Sequence, residues 1–136
     1  MNAVRFLKLY GLGAVVCFAF DLIWIGVVAK GFYQREIGHL MRPDVRWVPA
    51  VLFYLIYVAA LVTFVVIPSL ERQSLGRALA FGAFFGLAAY AAYDLTSLAL
   101  IRDFSTAAAV VDLAWGTALS ATVSAIVYKA GELWIS

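Results

Sequence analysis

GAFFGLAAYAAYDLTSLAL, residues Gly82 to Leu100, is the stretch on which the fold turns. It belongs to a longer run, Ala78 to Ile101, in which Asp94 is the sole charged residue. A helix rises about 1.5 Å per residue and a hydrocarbon core is about 30 Å thick, so roughly 20 such residues cross it. The run therefore reads as a membrane-spanning helix, and that reading places a carboxylate inside the bilayer.

Three further runs of the same kind lie at about 6 to 29, 47 to 67 and 106 to 128. Composition agrees: of 136 residues 65% are hydrophobic and 13% charged, and the mean hydropathy is +0.97, which excludes a soluble globule with a wetted surface. The expected architecture is all-α: a polytopic membrane protein forming one compact four-helix bundle over residues 1–136. The first run starts with Arg5 and Lys8, as a signal peptide does, but it is too long for such a segment and carries Asp21, so it reads as retained. Cys17 is the only cysteine, has no intrachain partner and reads as a small apolar packing residue.

The links Pro68 to Arg77 and Arg102 to Ser105 are short, which confines any chemistry to the bilayer or its surface. The longer link, KGFYQREIGHLMRPDVR from Lys30 to Arg46, sets Tyr33, Ile37, Leu40 and Met41 on one helical face against Gln34, Arg35, Glu36, His39 and Arg42. That pattern predicts an amphipathic interfacial helix between the first two spans. His39 is the only histidine and has no second histidine or cysteine at ligand spacing, so no metal site is expected; it reads as solvated, or as part of a lid. No dinucleotide or phosphate-binding glycine pattern is present, and no cofactor is expected. The net charge of +2 is spread over both faces, which gives no nucleic-acid footprint. Orientation is undecided by charge: Arg5, Lys8, Arg72, Arg77 and Lys129 lie on the side of the termini, Lys30, Arg35, Arg42, Arg46 and Arg102 on the other.

Asp94 has two companions in the spans, Asp21 and Asp112. Counting from the nearest flanking charge or helix start, all three lie roughly 9 to 14 Å beneath one interface. Each continues a row of small residues at four-residue spacing: Gly13, Cys17, Asp21; Gly82, Gly86, Tyr90, Asp94; and Asp112, Gly116, Ser120, Ser124. Membrane helices approach most closely along such rows, so the carboxylates are expected to face inward. Tyr54 reaches the same level on the second span, with Tyr57 one turn deeper. A carboxylate at this depth costs at least ~2.5–3.5 kcal/mol, and three in one layer repel one another, so protons, cations, water or phenols must offset them. The plainer reading makes them protonated interhelical glue; the sharper one makes Asp21, Asp94 and Asp112 a ligand site. DLIW at Asp21 to Trp24 recurs as DLAW at Asp112 to Trp115, which sets each tryptophan one turn from an acid. Trp24 and Trp115 then read either as core filling or as aromatic walls for a cation.

FDLIWIG at Phe20 to Gly26, IGHLM at Ile37 to Met41, the following W-x-PA-x-LFYLIY, GAFFGLAAYAAYDLTSLAL and VDLAWG together resemble a bacterial family of four-helix integral membrane proteins with no assigned activity. The resemblance implies a bacterial inner-membrane location. Fatty-acid-modifying enzymes encoded near some members hint at work on lipid.

The leading expectation is a binding or transport protein in which Asp21, Asp94 and Asp112, with Tyr54, Tyr90, Trp24 and Trp115, hold a small cationic or protonatable ligand, proton exchange on the carboxylates coupling binding to pH. The alternatives are a membrane enzyme, or enzyme partner, acting on fatty-acyl chains through an acid and a base, and a structural subunit of an envelope complex. The expected surroundings are the lipid bilayer and a small cationic or lipid-like ligand. Catalytic activity and oligomeric state stay open, a homo-oligomer included.

Overall fold

The computed structural model describes residues 2–29, 31–41 and 46–134, and every element among them is helical. Helix α1 (Ala3–Ile23) is capped by Asn2, whose side chain accepts the Arg5 N–H at 2.8 Å, and continues as a π-helical turn, Trp24–Val28. A short α2 (Phe32–Ile37) ends in a 3₁₀ turn, Gly38–Leu40. Helix α3 (Trp47–Leu61) passes through a second π-helical turn, Val62–Val66, into α4 (Ile67–Glu71). Helices α5 (Leu75–Leu100) and α6 (Thr106–Leu133) complete the bundle, each started by a serine cap: Ser74 accepts from Arg77 N and Ser105 from Ala108 N.

Among the described residues four stretches, Ala3–Val27, Trp47–Glu71, Leu75–Leu100 and Thr106–Trp134, are long and apolar enough to cross a membrane. The all-α membrane bundle expected from the sequence is therefore the architecture observed. Its helices run further than the hydropathy suggested at the end where the termini lie. The link read as Pro68 to Arg77 is mostly helix, with only Arg72 to Ser74 outside it. Pro68 does not stop the chain there because the π-helical turn before it shifts the hydrogen-bond ladder, and Pro68 then occupies an early position of α4 where a missing N–H costs little.

Helix α6 is the spine, packed along its length on α5 and also touching α1, α2, α4 and the π-helical turn of the second span. The α5–α6 approach is set by glycine. A Cβ on Gly86 would collide with the Gly116 carbonyl and Ser120, one on Gly82 would lie 2.6 Å from Ser124 Oγ, and one on Gly116 would enter the Tyr90 ring. The apolar core gathers toward the end of the bundle that carries the termini, where Leu9, Val62, Val66, Val123 and Val127 are fully buried. The opposite end is where the aspartates stand.

The amphipathic link differs from expectation in detail. Its helix is short, Leu40 is exposed, and Glu36 is half-buried because Ser105 Oγ donates to it at 2.6 Å. The change of helical pitch at Gly38 turns Leu40 away from the bundle. Lys30 and Arg42, assigned to this link, lie outside the described residues.

Candidate functional site

Asp21 sits at the end of the Gly13–Cys17 row, both members of which are buried, so α1 carries it against α3 and α6. Both of its oxygens find donors. Trp115 Nε1 donates to Oδ1 at 2.9 Å, and the Tyr54 phenol donates to Oδ2. Two donors on a carboxylate, one to each oxygen, fix its rotamer.

Asp112, in the second turn of α6, is held from above. Tyr33 Oη on α2 donates to its Oδ1 at 3.0 Å and itself accepts from Trp24 Nε1 at 3.2 Å. Burial, first among several causes, raises the Tyr33 phenol above its ordinary value, so it is a neutral donor at physiological pH. The two indoles stack on each other, 4.4 Å between ring centroids and 6° from parallel. Their bonding is therefore crosswise: Trp24, one turn from Asp21, reaches toward Asp112 through Tyr33, while Trp115, one turn from Asp112, holds Asp21. Tryptophans expected to serve as wall or filling also act as braces between helices.

Asp94 is different. It is 1% exposed, and no donor reaches its Oδ2 among the described residues. Its neighbour is the Asp112 carboxyl, with which it interacts directly. An acid pair in which one buried oxygen lacks a donor can be satisfied in two ways, by a shared proton or by a cation.

All three aspartates line one cavity of about 300 Å³, together with Trp24, Trp115 and Tyr90. Tyr33, Ile37 and Met41 of the α2 segment roof it, and Ile25, Tyr93 and Phe104 form its outer wall. Tyr54 does not line it but supports Asp21 from behind. Tyr57, deeper in the bundle, pairs with Ser120. Tyr90 lies flat against Gly116 and has no hydrogen-bond partner among the described residues, which leaves its hydroxyl for an occupant. His39 is exposed, with Nε2 3.0 Å from the Asp103 carbonyl oxygen, so it ties the roof to the α5–α6 turn. Tyr33 is the residue that sequence reasoning passed over. Its one signal was a phenol on the inward face of the amphipathic link.

Among the described residues no group of three or more His, Cys, Asp or Glu side chains has metal-binding geometry. The arrangement can hold a cation, exchange a proton within the Asp94–Asp112 pair, or do both in sequence.

A family model described as "Predicted membrane protein (DUF2177)" matches residues 6–129. No curated protein and no solved structure matches the chain.

Proposed function

This chain belongs to the DUF2177 family of membrane proteins, and from that premise we propose that it binds, and moves in exchange for protons, a small cationic or protonatable ligand within a bacterial inner membrane. The observation that carries the proposal is Asp94 Oδ2, buried without a donor beside Asp112 in the wall of a cavity. A carboxyl used only as glue would have found a hydroxyl or an indole, as Asp21 has. Asp94 and Asp112 are the ligand and proton sites. Asp21 holds Trp115 and Tyr54 in place, Tyr90 supplies a free hydroxyl, and the Trp24–Trp115 stack a rigid aromatic wall.

The test uses the full chain in lipid nanodiscs with ethylammonium and guanidinium as probes, following thermal stability from pH 5 to 9. Wild type should be stabilised by at least one probe, more strongly as pH rises and protons stop competing. Asp94→Asn and Asp112→Asn should fold and insert yet lose both the response and its pH dependence. An equal response in wild type and both variants would sink the proposal.

A second reading, acid–base chemistry on lipid chains, is favoured by the same pair, since one shared proton makes an acid and a base neighbours. It requires a covalent change in lipid. Mass spectra of lipids incubated with wild-type protein and with Asp94→Asn should then differ.

A further inference from the structure

We infer that the ligand is an amphiphile, a compact ammonium head on an apolar chain, and that it enters sideways from the bilayer between the ends of α1 and α5. This deepens the binding reading above and rests on it. The first argument is access. The route from the aqueous face is covered by the α2 segment, which three hydrogen bonds tie down: Tyr33 to Asp112 at 3.0 Å, Ser105 to Glu36 at 2.6 Å, and His39 to the Asp103 carbonyl at 3.0 Å. Helices α1 and α5 both pack on α6 but make at most marginal contact with each other. The cavity wall in that gap includes Ile25 and Tyr93, whose side chains are 59% and 56% exposed on the outer surface of the bundle. A side route therefore runs through apolar, lipid-facing residues.

The second argument is size and polarity. A cavity of about 300 Å³ is at the small end for ligand sites and takes a head group with the first part of a chain. Its carboxylates are concentrated inward, at Asp94 and Asp112, while the outer wall of Ile25, Tyr93 and Phe104 is apolar but for the Tyr93 hydroxyl and carries no charge. An ammonium brings up to three N–H donors, which suits the orphaned Asp94 Oδ2 together with Asp112 and the Tyr90 hydroxyl. An anionic head would meet three carboxylates and be repelled. A chain too long for the cavity continues through the gap into the hydrocarbon, where it loses nothing.

The experiment compares dodecylammonium, ethylammonium and dodecanoate as stabilisers of the full chain in nanodiscs, for wild type, Asp94→Asn and Ile25→Trp. Dodecylammonium should act at an aqueous concentration about tenfold or more below ethylammonium, because its chain concentrates it in the bilayer and stays in apolar surroundings when bound. Dodecanoate should not stabilise. Asp94→Asn should remove the dodecylammonium response. Ile25→Trp, a change on the outer wall that touches no carboxyl, should weaken dodecylammonium several-fold more than it weakens ethylammonium. Equal potency of the two amines overturns lateral entry of an amphiphile while leaving the carboxyl site in place. A dodecylammonium response shared by dodecanoate, or undiminished in both variants, is partitioning into lipid and overturns the inference. Silence from both amines overturns it together with the binding reading.

Discussion

Asp21 and Asp94 are the same side chain at one depth, and what surrounds each makes opposite demands on a substitution. Asp21 accepts from Trp115 and from Tyr54, one donor to each oxygen. Asparagine offers only one acceptor oxygen; set on the Trp115 indole, which can only donate, it leaves its amide N–H groups facing the Tyr54 phenol, which must then turn from donor to acceptor and leave its own hydrogen unpaired. Asp21→Asn is therefore expected to cost about 1–3 kcal/mol. Asp94→Asn does the reverse, since the new amide supplies a donor to the Asp112 carboxyl and removes one acid from an unsatisfied pair. It should keep wild-type stability within about 1 kcal/mol, or raise it. Thermal unfolding in one detergent at pH 7 compares them. A larger loss at Asp94 than at Asp21 would show that the donors are assigned to the wrong acid. The sequence placed all three aspartates on inward faces at one level, because depth and face follow from helical rise and period. It could not divide them into satisfied and orphaned, because that depends on side chains remote in the chain: Trp115 lies 94 residues from Asp21, and Tyr33 lies 79 from Asp112.

At the scale of elements, the seam between α5 and α6 is the contact most open to test. Backbone and serine atoms of α6 occupy the space where a side chain at Gly86 would begin, whereas Ala80 is exposed on another face of the same helix. Gly86→Ala is expected to cost about 1–3 kcal/mol by overpacking, and Gly86→Leu to abolish folded, monodisperse protein. Ala80→Leu should be close to neutral. Gly11 is the opposite control: nothing lies within 4 Å of a Cβ placed there, so Gly11→Ala should gain up to about 1 kcal/mol from helix propensity. Thermal unfolding and size-exclusion profiles of the four variants decide the matter, and equal tolerance at Gly86 and Ala80 would remove the seam. These stripes were legible because a spacing of four residues fixes a face. The π-helical turns at Trp24–Val28 and Val62–Val66 were not, since a single widened turn leaves no mark in hydropathy. Nor was the role of α2 as a roof. Its pattern announced an apolar face without saying what that face would cover.

Over the whole molecule the two ends are unlike: the interior toward the termini is packed with buried valine and leucine, and the other end holds the carboxylate cavity under α2. Orientation thus decides which compartment the acids serve, and the lysine and arginine count, five on each side, leaves that choice finely balanced. A single added cation should then tip it. Gln73 lies in the turn between α4 and α5 on the side of the termini, and Gln34 lies on α2 on the other side; both are exposed and neither contributes to the carboxylate cavity. Positive charge is retained on the cytoplasmic side, so Gln73→Arg should increase the share of chains with cytoplasmic termini and Gln34→Arg should decrease it. Two reporters fused in turn to the C-terminus, one active only in the cytoplasm and one only outside it, measure that share as a ratio. Opposite shifts from the two variants would identify a chain poised between orientations, in which copies of both kinds could present the cavity to both compartments. A shift in one variant alone would mean that wild type already inserts one way and that the other change merely reinforces it. If neither moves the ratio, charge is not what orients this bundle, and the one-sided apolar core would have to be tested next as the determinant.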